Sequence, residues 1–311
     1  MIFVSVRPPN LVRPNWVWCV TGHPARRQCG APFFARFPTL LDSRWLRQFN
    51  ARVPLDKLTI IGAGLLGGSI GLAARARGLA RRVSALVRRP ESLAECQALG
   101  IANEVTLDPA EAVACADLVV LCTPISGMAG LAKRTLPDIK PGTVITDIGS
   151  TKQQLVAELT PLCAGAGARF VGSHPMAGSD QTGPSAARAD LFDGTVCVVT
   201  PTGDTDADAL ATVNDFWAGL GSRPVIMPAD THDRLVARCS HLPHLLASAL
   251  AGRVLDPAHG EQQAQLCATG FRDMTRLAAG SPVMWRDIVG SNRDDILAAI
   301  DEFADELDQL R

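Results

Sequence analysis

Three glycines in the spacing G-x-G-x-x-G follow a short apolar run over residues 58–61, and helix-forming residues come after them. This order suits the pyrophosphate of a dinucleotide. The first glycine permits a tight turn, the second admits the phosphates close to the backbone, and the third lets the helix pack against the strand. The first N–H groups of the helix then face the anion. The residues predicted to contact the cofactor here are Gly62, Gly64, Leu65, Leu66 and Gly67. Glycine-rich turns also simply join strands to helices, but the flanking segments favour the nucleotide site.

The end of the second predicted strand, residues 83–87, indicates which dinucleotide binds. An NAD enzyme places an acidic residue there, about 20 residues past the glycines, to accept the ribose 2′-hydroxyl. This chain has Val87 followed by Arg88 and Arg89. Two guanidinium groups can hold a 2′-phosphate in bidentate fashion, and no carboxylate is present to repel it. The pattern favours NADP over NAD; the alternative is a pair of solvated arginines on a surface turn.

Polar residues also follow three later strand-like runs, where a parallel sheet would place a site. Thr123 and Pro124 come where the chain leaves one strand beside the cofactor. Ser150 follows the next strand, although it could merely cap a helix. His174 and Ser179 lie in a glycine-rich loop over residues 172–183. A single histidine is as often structural as catalytic, but this position favours a catalytic role, and an ordinary imidazole would titrate near neutrality.

The C-terminal part of the chain holds further polar segments, over residues 232–233, 240–244, 270–276 and 284–287. His241 and His244 lie three apart and would share a helix face. That spacing can bind a metal, but the acidic partner of an H-E-x-x-H motif is missing, so we expect no metal. Arg272 and Arg276 lie four apart, and they form either a solvated face or a clamp for an anion.

Strand-like and helix-like segments alternate from Leu58 to Pro228, which predicts an α/β fold with a Rossmann-type, doubly wound, mostly parallel sheet. The predicted strands cover residues 58–61, 83–87, 117–121, 143–147, 169–172, 195–199 and 223–227. After Pro228, helical spacing covers residues 231–255, 261–279 and 284–310. We therefore expect an extension over residues 1–54, a dinucleotide-binding domain over residues 55–228 and a helical domain over residues 229–311. So small a helical domain has a limited core, so we expect it to join two subunits into a homodimer.

The composition argues against several classes of function. A formal net charge of −1 gives no basis for nucleic-acid binding, and no apolar run is long enough to cross a bilayer. The nine cysteines include no C-x-x-C pair, so reduced thiols in the cytoplasm fit better than zinc or disulfides. Residues 1–54 contain eight arginines and one acid. We interpret them as an extension that is disordered or precedes the native start, with an organelle transit peptide as the alternative.

Five motifs together resemble those of the prephenate and arogenate dehydrogenase family of tyrosine biosynthesis. They are the glycines above, Asp147-x-x-Ser150-x-Lys152, Gly172-x-His174-Pro-x-Ala-Gly178, Ser240-His-Leu-Pro-His244, and Gly270-Phe-x-Asp273-x-Thr-Arg276 with Met284-Trp-Arg-Asp287. The resemblance covers about residues 55–311. The chain departs from it at Val87, where many members carry an acid, and this departure puts NAD in doubt.

The resemblance implies oxidative decarboxylation of prephenate or arogenate to 4-hydroxyphenylpyruvate or tyrosine. A hydride leaves the carbinol carbon for the nicotinamide, and the ring carboxylate departs as CO₂ while the ring becomes aromatic. His174 would take up the hydroxyl proton, Ser150 would orient His174 and the substrate, and His244 would line the same pocket. The substrate-binding residues by resemblance are Arg276, which would hold the ring carboxylate, Asp273, Thr269 and Ser179.

Two alternatives stay open at this point. A β-hydroxyacid dehydrogenase also joins a Rossmann domain to helices, but the lysine of its G-x-x-x-N-x-x-K motif is not found in the helical part. A module that senses NADP without turnover would have no use for His174, Ser150 and Arg276 together.

Overall fold

The computed structural model describes residues 54–179 and 181–311. The predicted extension over residues 1–54 lies outside them except for Pro54, so its interpretation stays a prediction.

Six parallel strands form the central sheet: β1 (Leu55–Ile61), β2 (Ala80–Leu86), β3 (Glu104–Thr106), β4 (Leu118–Leu121), β5 (Val144–Asp147) and β6 (Arg169–Phe170). Their order is β3-β2-β1-β4-β5-β6, the doubly wound order of a dinucleotide-binding fold. The helices between them are α1 (Leu65–Ala76), α2 (Pro90–Ala98), α3 (Pro109–Val113), α4 (Ile125–Thr135) and α5 (Gln153–Gly165). The predicted fold class is confirmed. The reversal of strand order between β1 and β4 opens a crevice at the carboxyl edge of the sheet.

Helices cover the sheet on both faces, which explains the continuous apolar runs of its strands. In β4, Leu118 and Val120 pack into one core with α1, while Val119 and Leu121 pack into the other with α4 and α5. All four side chains are at most 1% exposed. Successive side chains of a strand point to opposite faces, so such a run is stable only between two layers of helix.

A second, three-stranded sheet follows, made of β7 (Gly172–Pro175), β8 (Val196–Thr200) and β9 (Arg223–Ile226), with α6 (Ala207–Gly219) between β8 and β9. The prediction of a single strand over residues 169–172 was therefore wrong. β6 pairs with β5, whereas β7 leaves for the second sheet and pairs antiparallel with β8. β3 was not predicted, because its three residues are too few to show a period.

The helical domain contains α7 (Ala229–Val236), α8 (Leu242–Val254), α9 (Gly260–Ala264), α10 (Thr269–Thr275), α11 (Pro282–Ser291) and α12 (Arg293–Leu310). A π-helical turn, Ala237–His241, joins α7 to α8, so the predicted helix over residues 231–255 is nearly continuous. The two later predicted helices are interrupted. Asn292 separates α11 from α12, and its amide donates to the carbonyl of Asp233 at 2.8 Å.

The core of the helical domain is small, as its sequence predicted. Ala237, Leu242, Ile296 and Ala299 form its buried cluster. Several large apolar side chains lie at the surface instead, led by Leu266, which is 84% exposed. In the part of the chain that the structure describes, no helix is long and apolar enough to span a bilayer.

Candidate active site

The glycine turn between β1 and α1 has the shape that a bound pyrophosphate requires. Gly62 has a φ of +98°, and a Cβ there would lie 2.7 Å from the carbonyl oxygen of Cys122. A Cβ on Gly67 would overlap the carbonyl oxygen of Gly62, so only glycine lets α1 approach the strand. By contrast, no described atom outside Gly64 and its two chain neighbours lies within 4 Å of the position of a Cβ on Gly64. That open side is where phosphates would approach the backbone.

A cavity of about 210 Å³ lies beside this turn at the ends of β1 and β2. Its lining includes the apolar side chains of Leu86, Val87, Leu107 and Leu131 and two arginines, Arg88 and Arg134. Thr123 also lines it, and its buried hydroxyl has no hydrogen-bond partner among the described residues. Apolar walls suit an adenine ring, whereas the arginines and the free hydroxyl suit polar ribose and phosphate groups. The residues present therefore fit a dinucleotide.

The other predicted cofactor residues lie around this cavity but not in its lining. Leu65 and Leu66 are the first two residues of α1 and are partly buried. Arg89 and Pro124 immediately precede α2 and α4, and both are exposed. Their contacts with a cofactor stay predictions.

A second cavity, of about 200 Å³, lies where the sheets meet the helical domain. Its lining includes Ser150 from the loop after β5, His174 from β7, and Ser240, His241, Met284 and Trp285 from the helical domain. The structure thus brings together two of the three predicted catalytic residues, which are 24 positions apart in the chain, at the carboxyl edge of the parallel sheet.

Behind this cavity, His174 begins a chain of three polar side chains. Its Nδ1 lies 2.9 Å from Nε2 of His232, and Nδ1 of His232 lies 2.7 Å from a carboxylate oxygen of Asp233. His232 is 1% exposed and Asp233 is fully buried. The same carboxylate accepts the backbone N–H groups of Lys152 and Gln153, both at 2.8 Å. Only Nε2 of His174 is therefore left to face a ligand.

The surroundings of His174 keep its imidazole neutral. Burial, followed by the charges of His232, Lys152 and His241, lowers the pKa of His174 well below its usual 6.5. This direction differs from the expectation of an imidazole that titrates near neutrality, because the protein removes the water that would stabilise the imidazolium. A neutral imidazole is the form that can accept a proton.

A buried ion pair holds the strand ends that carry Ser150 and His174. The ammonium of Lys152 pairs with the carboxylate of Asp147 and donates to the carbonyl of Ser173 at 3.0 Å. Asp147 in turn accepts the N–H groups of Gly149 at 2.7 Å and Ser173 at 3.0 Å. Since Lys152 and Asp147 are fully buried, the pair ties the loop after β5 to β7 without reaching solvent.

His244 lies behind the wall of the second cavity. Its ring stacks on Trp285, with centroids 3.5 Å apart and planes at 7°. A Cβ on Gly280 would lie 2.5 Å from Nε1 of Trp285 and 3.0 Å from Cε1 of His244, so this glycine makes room for the stack. Burial lowers the pKa of His244. His244 therefore lies one residue away from the cavity, because it stacks on Trp285, which lines the cavity. Contact between His244 and substrate stays a prediction.

The predicted substrate-binding residues do not line the second cavity within one chain. Thr269 and Asp273 lie on α10, Arg276 begins the 3₁₀ turn after it, and all three are exposed. Ser179 is exposed in the loop after β7, where its hydroxyl accepts the N–H of Gln181 at 3.2 Å. Their roles stay predictions.

No role was predicted for two polar residues behind the second cavity, His232 and Asp233, or for Trp285 and Arg134, which line the second and the first cavity. His232, Asp233 and Trp285 lie in segments that the sequence identifies as polar. No spacing rule connects His232 to His174, because the two residues are 58 positions apart in the chain. Arg134 lies in the last turn of α4, and no motif in the sequence pointed to it. Within the described residues, no group of three His, Cys, Asp or Glu side chains could hold a metal ion.

Comparison with known proteins connects this geometry to a family. The family model for the prephenate dehydrogenase nucleotide-binding domain matches residues 70–226, and the model for the prephenate dehydrogenase dimerization domain matches residues 228–311. The chain belongs to the prephenate dehydrogenase family.

Individual relatives of the prephenate dehydrogenase family agree with this assignment. The chain is 35% identical to the cyclohexadienyl dehydrogenase of Zymomonas mobilis, over 82% of this chain and 87% of that protein. It is 34% identical to the prephenate dehydrogenase of Bacillus subtilis, over 82% of this chain and 69% of that protein. The structure matches Aquifex aeolicus prephenate dehydrogenase in complex with hydroxyphenyl propionate and NAD⁺, with a TM-score of 0.77 and 31% identity. That match covers 83% of this chain and 90% of the other. The predicted family is confirmed, and the chain is an NAD(P)-dependent dehydrogenase of prephenate or arogenate type.

Proposed function

We propose that this enzyme oxidatively decarboxylates prephenate, arogenate or both, with NADP preferred over NAD as the hydride acceptor. The products would be 4-hydroxyphenylpyruvate from prephenate and tyrosine from arogenate. The observation that carries the proposal is that His174 and Ser150 line one cavity at the edge where the dinucleotide fold binds its cofactor. Burial lowers the pKa of His174, which favours the neutral imidazole that a base requires.

The chemistry assigns one task to each part of the site. The nicotinamide, when bound, accepts the hydride from the carbinol carbon. His174 accepts the hydroxyl proton at Nε2, because its Nδ1 is occupied by His232. Ser150 would orient the hydroxyl across the cavity. Arg276 would bind the ring carboxylate; that pair stabilises the ground state too, so its benefit is orientation.

The test of the base is His174→Asn, which keeps a polar group but cannot accept the proton. We expect kcat to fall by about 10²–10⁴ while KM changes little. The matched control is His259→Asn, because His259 is exposed next to α9 and lines neither cavity. If His174→Asn kept more than about a tenth of kcat, the base would be another residue, and His244 would be the next candidate.

The preference for NADP rests on the end of β2. By resemblance, many members of the family carry an acid where this chain has Val87, and both Val87 and Arg88 line the cofactor cavity. We expect kcat/KM for NADP to exceed that for NAD at least tenfold, or by about 1.4 kcal/mol. Val87→Asp with Arg88→Ala should move the preference toward NAD, whereas Arg82→Ala, near the opposite end of the same strand, should not. Equal use of NADP and NAD by the unmodified enzyme would contradict the proposal.

We further propose a homodimer formed through the helical domain, whose family model is named for dimerization. Its exposed apolar side chains, such as Leu266 and Met274, exceed what its own small core can cover. We also propose the cytoplasm as the compartment, because the seven described cysteines carry free thiols, which fit a reducing environment.

A further inference from the structure

The direction of the hydrogen bonds behind His174 can be read from the acceptor at their far end. A carboxylate only accepts hydrogen bonds, and the carboxylate of Asp233 already accepts two backbone N–H groups, from Lys152 and Gln153. The bond of 2.7 Å between Asp233 and Nδ1 of His232 therefore requires a proton on that nitrogen. When His232 carries this single ring proton, its lone pair lies on Nε2.

The position of the proton on His232 determines the position of the proton on His174. Nε2 of His232 accepts from Nδ1 of His174 across 2.9 Å, so the proton of neutral His174 lies on Nδ1. The lone pair of His174 is consequently on Nε2, the nitrogen left for a ligand. The opposite tautomer, which is the commoner one for a free imidazole, would present an N–H at that place and could not act as a base.

We propose that His232, oriented by Asp233, is a positioning residue that fixes the tautomer of His174 and supports the imidazolium that forms during turnover. His232 is 1% exposed, so it acts through His174 and not on the substrate. The inference rests on the proposed role of His174 as the base.

The proton balance is simple. The substrate O–H bond breaks and an N–H bond forms at Nε2 of His174. Its Nδ1–H stays in place and becomes a donor from a cation, which strengthens its hydrogen bond to His232. Nδ1–H of His232 still donates to the carboxylate of Asp233, and no proton leaves His232. A third group that holds an imidazole in one tautomer and supports its charge is the general arrangement for an activated base.

Two substitutions at His232 separate positioning from packing. Gln can place its carbonyl oxygen near the position of Nε2 and accept from His174, whereas Leu fills similar space without an acceptor. We expect His232→Leu to lower kcat about 100-fold, with KM and the Kd of the cofactor changed less than threefold. We expect His232→Gln to retain kcat within about tenfold of the unmodified enzyme. Equal losses in the two variants, or a His232→Leu enzyme with more than a third of kcat, would overturn the proposal. Asp233 is unsuitable for this test because its carboxylate also binds the start of α5.

Nitrogen NMR of the full chain provides a readout that needs no substrate. The sequence has only six histidines, so selective ¹⁵N labelling of their rings gives a spectrum that single variants can assign. We expect both His174 and His232 to be protonated at Nδ1 in the neutral form. Protonation of His174 at Nε2 would overturn the inference. If neither prephenate nor arogenate were turned over, the proposed function would fail, and the NMR result would still decide the tautomer.

Discussion

Lys152→Met provides the strongest single test of how the site is built. The substitution keeps a long, unbranched side chain but removes the ammonium that pairs with Asp147 and donates to the carbonyl of Ser173. The carboxylate of Asp147 then stays fully buried without its counter-ion. Removing one partner of a buried pair costs about 3–5 kcal/mol of unfolding free energy, because the remaining charge loses its compensation. Asp147 retains the N–H groups of Gly149 and Ser173, so we expect a value near 3 kcal/mol.

The chain contains a matched control in Lys140→Met. Lys140 pairs with Asp117, which likewise retains two backbone N–H groups, from Asp56 at 2.7 Å and Lys57 at 3.0 Å. This pair differs in exposure, since the side chains of Lys140 and Asp117 are 42% and 26% exposed. A pair that water can reach contributes less than about 1 kcal/mol. The same substitution in the two pairs therefore isolates the effect of burial.

The assay is urea unfolding followed by far-ultraviolet circular dichroism, with the slope of free energy against urea compared among the three proteins. If the slope is the same in all three proteins, a difference in the urea midpoint reports a difference in the free energy of unfolding. Lys152→Met should also lower kcat, since the pair holds the loop of Ser150 against the strand of His174. If Lys152→Met were no more destabilising than Lys140→Met, the buried pair would not be what holds this edge of the sheet.

Three further predictions concern the cofactor, the base and the assembly. Gly64→Ala should leave the thermal midpoint unchanged but raise the Kd of NADP at least tenfold in titration calorimetry. Its methyl group would meet the phosphates but no protein atom beyond its chain neighbours, whereas Gly67→Ala should lower the midpoint as well. Because burial lowers the pKa of His174, kcat should stay level as the pH falls through 6.5. It should drop only at more acidic pH, where the imidazole binds a proton. A midpoint near pH 7 in the profile of kcat against pH would contradict this reasoning. Leu266→Glu with Met274→Glu, at side chains 84% and 65% exposed, should give monomers by light scattering, and an intact dimer would place the interface elsewhere.

The sequence predicted the parts of the fold in which local pattern and burial agree. β1, β4 and β5 are apolar or β-branched runs between helices, and each was located to within three residues. β3 was missed because it consists of three residues that pair only with β2. The division of residues 169–172 between two sheets was also missed. It depends on which partner each residue pairs with, and that information is not local.

In the candidate site, too, the sequence predicted local features but not contacts between distant residues. Ser150 was identifiable because it follows β5, at the edge where parallel strands end. His174 was identifiable because it follows the strand predicted over residues 169–172, although in the structure it lies within β7. His232 and Asp233 were visible as a polar pair, but their task depends on a contact across the two domains. The lowered pKa of His174 depends on the burial of its ring and on the side chains that surround it, so the residue type alone did not indicate the direction of this shift.

The carboxylate of Asp233 also indicates whether the two family domains of this chain unfold separately or together. The two family models meet between residues 226 and 228, yet Asp233 lies beyond that border and binds the first N–H groups of α5 before it. The border between the two family models is therefore not a border between two units that fold independently. A fragment ending at residue 228 would lose the acceptor for two N–H groups, and the fully buried Lys152 would lose part of its cover. We therefore expect the residues from 54 onward to melt in a single calorimetric transition.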